Sequence, residues 1–181
     1  MSEPLKYLSH YPQHVQAQVR TLIERGGLKT YLLDKYPTPH SIGNDKALRE
    51  HVMQFKNRYL KKSAPLSKVI FDNRIHVVNH ALGLHSYVSR VQGNRLKSKH
   101  EIRISSVFKA TPQAFLDMIS VHELAHLKEK EHNKAFYQLC QYMLPSYHQL
   151  EFDLRLFLLQ TELEGALYEP TGETAGDGCV V

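Results

Sequence analysis

The sequence predicts an α+β fold, and three observations carry that reading. Residues 1–62 show helical periodicity, the middle of the chain holds short alternating segments, and helical periodicity returns after Thr111. Runs segregated in this way argue for helices packed on a small sheet rather than for a repeated βαβ unit.

The elements follow in order. Val15, Val19, Leu22 and Ile23 recur at helical spacing, and Gly26-Gly27 offers a stop. A short helical segment runs from Lys29 to Tyr36, ahead of Pro37, and residues 37–44 have the composition of a loop. Asn44 or Asp45 can cap the next helix, whose apolar stripe is Leu48, Val52, Phe55 and Tyr59. Residues 68–72 and 74–79 read as two short strands around Asp72-Asn73, with further strands at 86–91 and 101–107 and a turn at Gly93-Asn94. Thr111 suits an N-cap and Pro112 the first helical position of a helix that is apolar on most of its circumference from Phe115 to Leu127. A second late helix starts at Asn133 and stops before Pro145, and a third runs from Ser146 to Glu164 with Gly165 as its stop. The expected organisation is a helical region over 1–62 and a core over 63–165, forming one compact domain together, then an acidic disordered tail over 166–181.

Composition excludes several classes. The 181 residues are 42% hydrophobic and 23% charged, ordinary for a globular chain. No window approaches the ~20 apolar residues of a membrane span, and no apolar leader follows the N-terminus. Two cysteines, Cys140 and Cys179, make no disulfide scaffold, which points to a reducing compartment, the cytoplasm. Cys140 lies in an apolar helix and reads as a small buried hydrophobe. Charge is uneven: residues 1–149 carry net +11 and residues 150–181 net −6. The stretch from Arg90 to Lys109 holds six bases and one acid. A basic body of this kind can attract nucleic acid or an acidic partner, or be a solvated surface balanced by the chain's own acidic end.

The chemistry sits in His122-Glu123-Leu124-Ala125-His126. Two histidines four apart lie on one helix face, so both imidazoles can reach one metal ion, and Glu123 flanks them about 100° round. Imidazole nitrogen suits zinc, and a catalytic zinc keeps three protein ligands and an open position for water. A carboxylate beside such a site can act as general base, the role expected of Glu123. The bland alternative is a pair of ordinary helical histidines. Against it, His and Glu are costly to bury unless paired or metal-bound.

The third ligand is expected to be His132. On a continuous helix it would stand about 240° round from His126. It joins the site only if the helix ends between Leu127 and His132 and the chain turns back, which Asn133 as the next N-cap supports. The rival is Glu151, or Asp153, on the last helix.

The run from His122 to Tyr137, with Phe71–Val78, Ala81–His85, Val88–Gly93 and Tyr147–Asp153, resembles the YgjP-like metallopeptidase family, and more distantly the SprT-like and WLM zincins. The resemblance covers about residues 5–160 and leaves the acidic end as an addition. It implies a compact, minigluzincin-like zincin core, with a small, mostly antiparallel sheet packed on the active-site helix. It implies one Zn2+ per chain on His122, His126 and His132, with Glu123 as general base, in an HExxH zinc metallopeptidase acting on a protein or peptide. Relatives that act on DNA-attached proteins make nucleic acid a second expected partner; no membrane is expected.

Other residues carry weaker expectations. A peptide substrate is expected along a sheet edge, with 100–107 as the candidate strand. Tyr137, His85 or Arg103 can stabilise an oxyanion. His76, His80 and His85 can form a second metal site, though no two share a convincing ligand spacing. Two other functions compete: a metal-dependent endoribonuclease, whose family carries Gly where this chain has Glu123, and a non-catalytic, zinc-containing nucleic-acid-binding protein.

Overall fold

The computed structural model describes residues 5–75, 83–92 and 95–169, with 83–92 and 95–99 described by their backbone. After a single 3-10 turn, Lys6–Leu8, come α1 (Gln13–Glu24), α2 (Leu28–Lys35) and α3 (Asp45–Tyr59). Then follow β1 (Leu66–Asp72), β2 (Gly83–Gln92) and β3 (Arg95–Ser105). A second 3-10 turn, Ser106–Ala110, leads into α4 (Gln113–Ala125), α5 (Lys134–Met143) and α6 (Tyr147–Glu164). The mixed α+β reading therefore stands.

Local chemistry explains several boundaries. The Asn44 side chain accepts from Ala47 N at 2.9 Å, capping α3. Asp45 instead accepts from Phe71 N, also at 2.9 Å, and so ties the start of α3 to β1. α1 ends at a glycine, Gly26, with φ +65°, and α6 at Gly165 with φ +88°, a region that side chains disfavour. Thr111 does not cap α4: its hydroxyl donates to Phe108 O at 3.0 Å, and Pro112 takes the N-cap position.

The sheet corrects the expectation of a mostly antiparallel one. Its order is β1-β3-β2, with β1 parallel and β2 antiparallel to β3. The sequence pattern suggested two short strands around Asp72-Asn73, but Asp72 accepts from Arg74 N at 2.9 Å in a turn after β1, and β3 takes the place beside β1. Of the strand expected at 74–79, residues 74 and 75 lie in the turn after β1 and the rest falls outside the described residues. β3 is paired on both sides, so the stretch from His100 onward is the central strand and cannot receive a peptide by strand addition.

The alternation of β3 separates two faces. Ile102 and Ile104 are fully buried beside Val69 and Phe71, while Glu101 and Arg103 are partly exposed. α4 packs against β2 and β3 and against α3, α5 and α6, so it is the centre of the molecule. Phe115, Leu116, Met118, Ile119, Val121, Leu124 and Ala125 are all buried on it, as its near-continuous apolar circumference demands.

α6 closes the other side and is joined to α2 through a buried carboxylate. Asp153 is fully buried and accepts from Tyr31 Oη at 3.1 Å, Lys35 Nζ at 2.6 Å, Tyr36 Oη at 2.5 Å and Gln149 Nε2 at 3.0 Å. Four donors satisfy the oxygens of this buried side chain. Beyond Gly165, Leu167 is buried and Tyr168 Oη donates to Tyr36 O at 2.8 Å. The rest of the expected acidic tail lies outside the described residues. Among them, no helix is long and apolar enough to cross a membrane.

Candidate metal centre

α4 stops one residue short of His126, which takes the C-cap position. Leu127, Lys128 and Glu129 then turn the chain, with Lys128 N and Glu129 N both bonded to Ala125 O at 3.0 Å. Asn133 starts α5, accepting from Phe136 N at 2.9 Å. This break is the one His132 requires, and it places His132 over the end of α4.

The three imidazoles form a near-equilateral group. Ring centroids are 5.1 Å apart for His122 and His126, 4.9 Å for His122 and His132, and 4.9 Å for His126 and His132. Phe136, fully buried, lies within 4.6–4.9 Å of all three rings and forms an apolar floor.

Hydrogen bonds fix which nitrogens face inward. His122 Nδ1 is 2.7 Å from Tyr147 Oη, and His126 Nδ1 is 3.0 Å from Glu129 O. The carbonyl can only accept, so His126 carries its proton on Nδ1 and leaves Nε2 as a lone pair. Tyr147 Oη can accept from His122 Nδ1 in the same way. His126 Nε2 and His132 Nε2 stand 3.0 Å apart. One ligand atom from each of the three residues lies within 4.8 Å of the others, a spacing that can hold a metal ion. Outer partners of this kind orient metal-ligating histidines, so the residues present fit a three-imidazole metal site.

Electrostatics agrees with the geometry. Burial, reinforced by the neighbouring His126 and His132, pushes His122 down to about 3, so it stays neutral and available as a ligand. Burial also lowers His126. Glu123 is 1% exposed, and burial raises its carboxyl to about 8. Its Oε2 has no hydrogen-bond partner among the described residues. An unpaired buried acceptor costs about 1–3 kcal/mol, and a carboxyl held at that cost next to His122 in α4 is a candidate for proton transfer.

The other expected residues separate. Glu151 pairs with Arg155 on α6 at 3.0 Å, and both Asp153 oxygens are taken by α2 and α6, so neither belongs to the histidine group. Arg103 is held by Asp72 at 3.0 Å and Glu101 at 3.4 Å on the partly exposed sheet face. Tyr137 remains close, half-buried, its ring 6.3 Å from that of His132. His85 is described by its backbone in β2, and His76 and His80 lie outside the described residues. Cys140 is a buried free thiol raised to about 12 by burial, as its apolar helix suggested; Cys179 lies outside the described residues. Sequence reasoning missed Tyr147 and Phe136. A tyrosine in an apolar helix needs a partner for its hydroxyl, and that was the signal available for Tyr147.

A family model, YgjP-like metallopeptidase domain, matches residues 29–156. The chain belongs to the YgjP-like family. The resemblance read from the sequence is thereby established, and with it a metal-dependent enzyme family. A YgjP-like chain need not be named for proteolysis: one curated relative, from Escherichia coli (strain K12), is named UTP pyrophosphatase. It is 56% identical over 159 residues, covering 88% of this chain and 95% of that protein. No solved structure matches.

Proposed function

We propose that this chain is a zinc-dependent hydrolase of nucleoside triphosphates that releases pyrophosphate, with UTP as its first candidate substrate. The observation carrying this reading is the 56% identity to a UTP pyrophosphatase along nearly that protein's whole length. The three-imidazole group and a buried carboxylate support hydrolysis in general, because the same equipment serves a phosphoryl or an acyl centre.

His122, His126 and His132 would hold the ion through Nε2, a donor set that suits zinc. When bound, zinc supplies Lewis acidity toward the substrate's oxygen and lowers the pKa of water. Glu123 is the general base. A cation beside it favours the carboxylate over the neutral acid that burial alone would keep, so it can accept a proton near neutral pH. Its unpartnered Oε2 takes the proton of the attacking water. The water oxygen bonds to the α-phosphorus, the bond from that phosphorus to the bridging oxygen breaks, and pyrophosphate leaves with UMP as the other product. Tyr137, beside His132, offers a hydroxyl to the charge that develops.

The second reading keeps the metal and the base and cleaves a peptide. The HExxH spacing and the family's description favour it. A direct test is to measure pyrophosphate release from UTP, CTP, ATP and GTP, and cleavage of unfolded protein, by zinc-loaded and chelated enzyme and by Glu123→Gln. Metal-dependent release from UTP, lost in Glu123→Gln, is expected. Proteolysis lost in Glu123→Gln, with no triphosphate turned over, would overturn the first reading in favour of the second.

A further inference from the structure

We propose that the β2–β3 ribbon is a docking surface for the phosphate backbone of duplex DNA, independent of the metal centre. β1 pairs with β3 only from His100 to Ser105, whereas β2 pairs with it down to Gln92 opposite Arg95. Among the described residues, the hairpin therefore runs past the end of β1 as a two-stranded ribbon over Val88–Gln92 and Arg95–Lys99.

That ribbon contains Arg90, Arg95, Lys97 and Lys99 and no acid. The register puts all four on one face. Arg90 is paired with Lys97, Val88 with Lys99 and Gln92 with Arg95, and alternate residues of a strand share a side. The same side, followed along β3, is that of Glu101 and Arg103, across the sheet from the buried Ile102 and Ile104. α4 and its histidines belong with the buried side, so this face does not serve the metal centre.

In the three-stranded part bases have acids: Asp72 is bound by Arg74 at 3.1 Å and Arg103 at 3.0 Å, and Arg103 reaches Glu101. In the ribbon, Arg90 and Lys97 stand directly opposite each other, with Arg95 and Lys99 at the diagonal positions. Like charges at opposed register positions disfavour strand pairing, so a polyanion is the kind of ligand this register suits.

The chemistry of the face selects among polyanions. Val88 and Gln92 are its only uncharged members in the ribbon and neither is aromatic, so it lacks the stacking platform of single-strand binders. A two-stranded ribbon fits the major groove of B-form DNA, whereas the deep, narrow groove of duplex RNA does not admit it. Contacts from lysine and arginine to phosphate give affinity without sequence preference.

The test is anisotropy of a labelled 20-base-pair DNA with the full chain across a salt series. Four phosphate contacts give a log–log salt slope of about −3.6, a loss of about a hundredfold in affinity between 50 and 200 mM salt. Lys97→Gln is expected to reduce the slope by about one. Replacing Arg90, Arg95, Lys97 and Lys99 together with Gln should abolish binding while the thermal midpoint without DNA stays level or rises, because the repulsion is gone. No binding at low salt would overturn the proposal. So would tighter binding of single-stranded RNA, or a loss on substituting Arg58, Lys61 and Lys62 at the end of α3 but not on substituting the ribbon.

Discussion

The Nδ1 of His122 and the hydroxyl of Tyr147 lie 2.7 Å apart, joining the first histidine of α4 to the first turn of α6. Tyr147 is fully buried, and its own ionisation is strongly suppressed by that burial. The hydroxyl therefore stays neutral, and when His122 offers Nε2 to a metal it accepts from Nδ1–H, which holds the tautomer and the plane of the imidazole.

Tyr147→Phe removes that acceptor with little change in volume. Affinity for zinc, measured by competition with a chromogenic chelator, should fall about 10- to 100-fold. Unchanged affinity would reduce Tyr147 to packing.

His132→Ala should lower zinc stoichiometry from about one per chain to a weakly held fraction, read by elemental analysis after dialysis. His122 and His126 alone leave two ligands where a catalytic zinc takes three. Full retention of the metal would exclude His132 as a ligand.

Asn133→Ala tests the same arm through the backbone. Loss of the cap should cost about 1 kcal/mol in urea denaturation with metal removed. It should also weaken zinc binding, because the cap holds Phe136 under the three rings and His132 beside it.

Asp153→Ala should be among the most destabilising single changes, about 3 kcal/mol by the same measurement. It strands the buried Tyr36 hydroxyl and the half-buried Tyr31 hydroxyl at once and leaves Lys35 and Gln149, both exposed, without their buried partner. A cost below about 1 kcal/mol would show that α2 and α6 hold together without it.

His40 gives a pH dependence whose sign is fixed by its bonds. Its Nε2 donates to Phe108 O at 2.6 Å and its Nδ1 accepts from Ile42 N at 2.9 Å, so the ring is bound as the neutral form. Burial is the main force holding its pKa below 6.5, with His51 lowering it further and Asp117 opposing. As pH falls below about 6.5 the unfolded chain takes up this proton first, and stability declines. Urea midpoints at pH 7 and pH 5 should differ less for His40→Asn than for the parent protein.

What was legible in the sequence was local. Two histidines and a glutamate on one helix face need only the helical repeat, and Asn133 was enough to mark the break that brings His132 round. The order of the sheet was not local: nothing in residues 66–72 announces that β3 rather than β2 will lie beside them, so a mostly antiparallel sheet was expected and a parallel β1–β3 pair found. For the same reason His100 onward was taken for an edge when it is the centre. Tyr147 was missed because its role depends on where α6 crosses α4, which no periodicity encodes.

The three histidines do not stand on equal footing. His122 is on α4 and His126 at its end, both oriented by hydrogen bonds, whereas His132 is exposed on the turn between Ala125 and Lys134. If these residues hold an ion, its capture would have an order in time, with His122 and His126 receiving it and His132 closing over it. Release would run the other way, so the residence time of a bound metal would depend on the eight-residue connection that carries His132 more than on the helix beneath it.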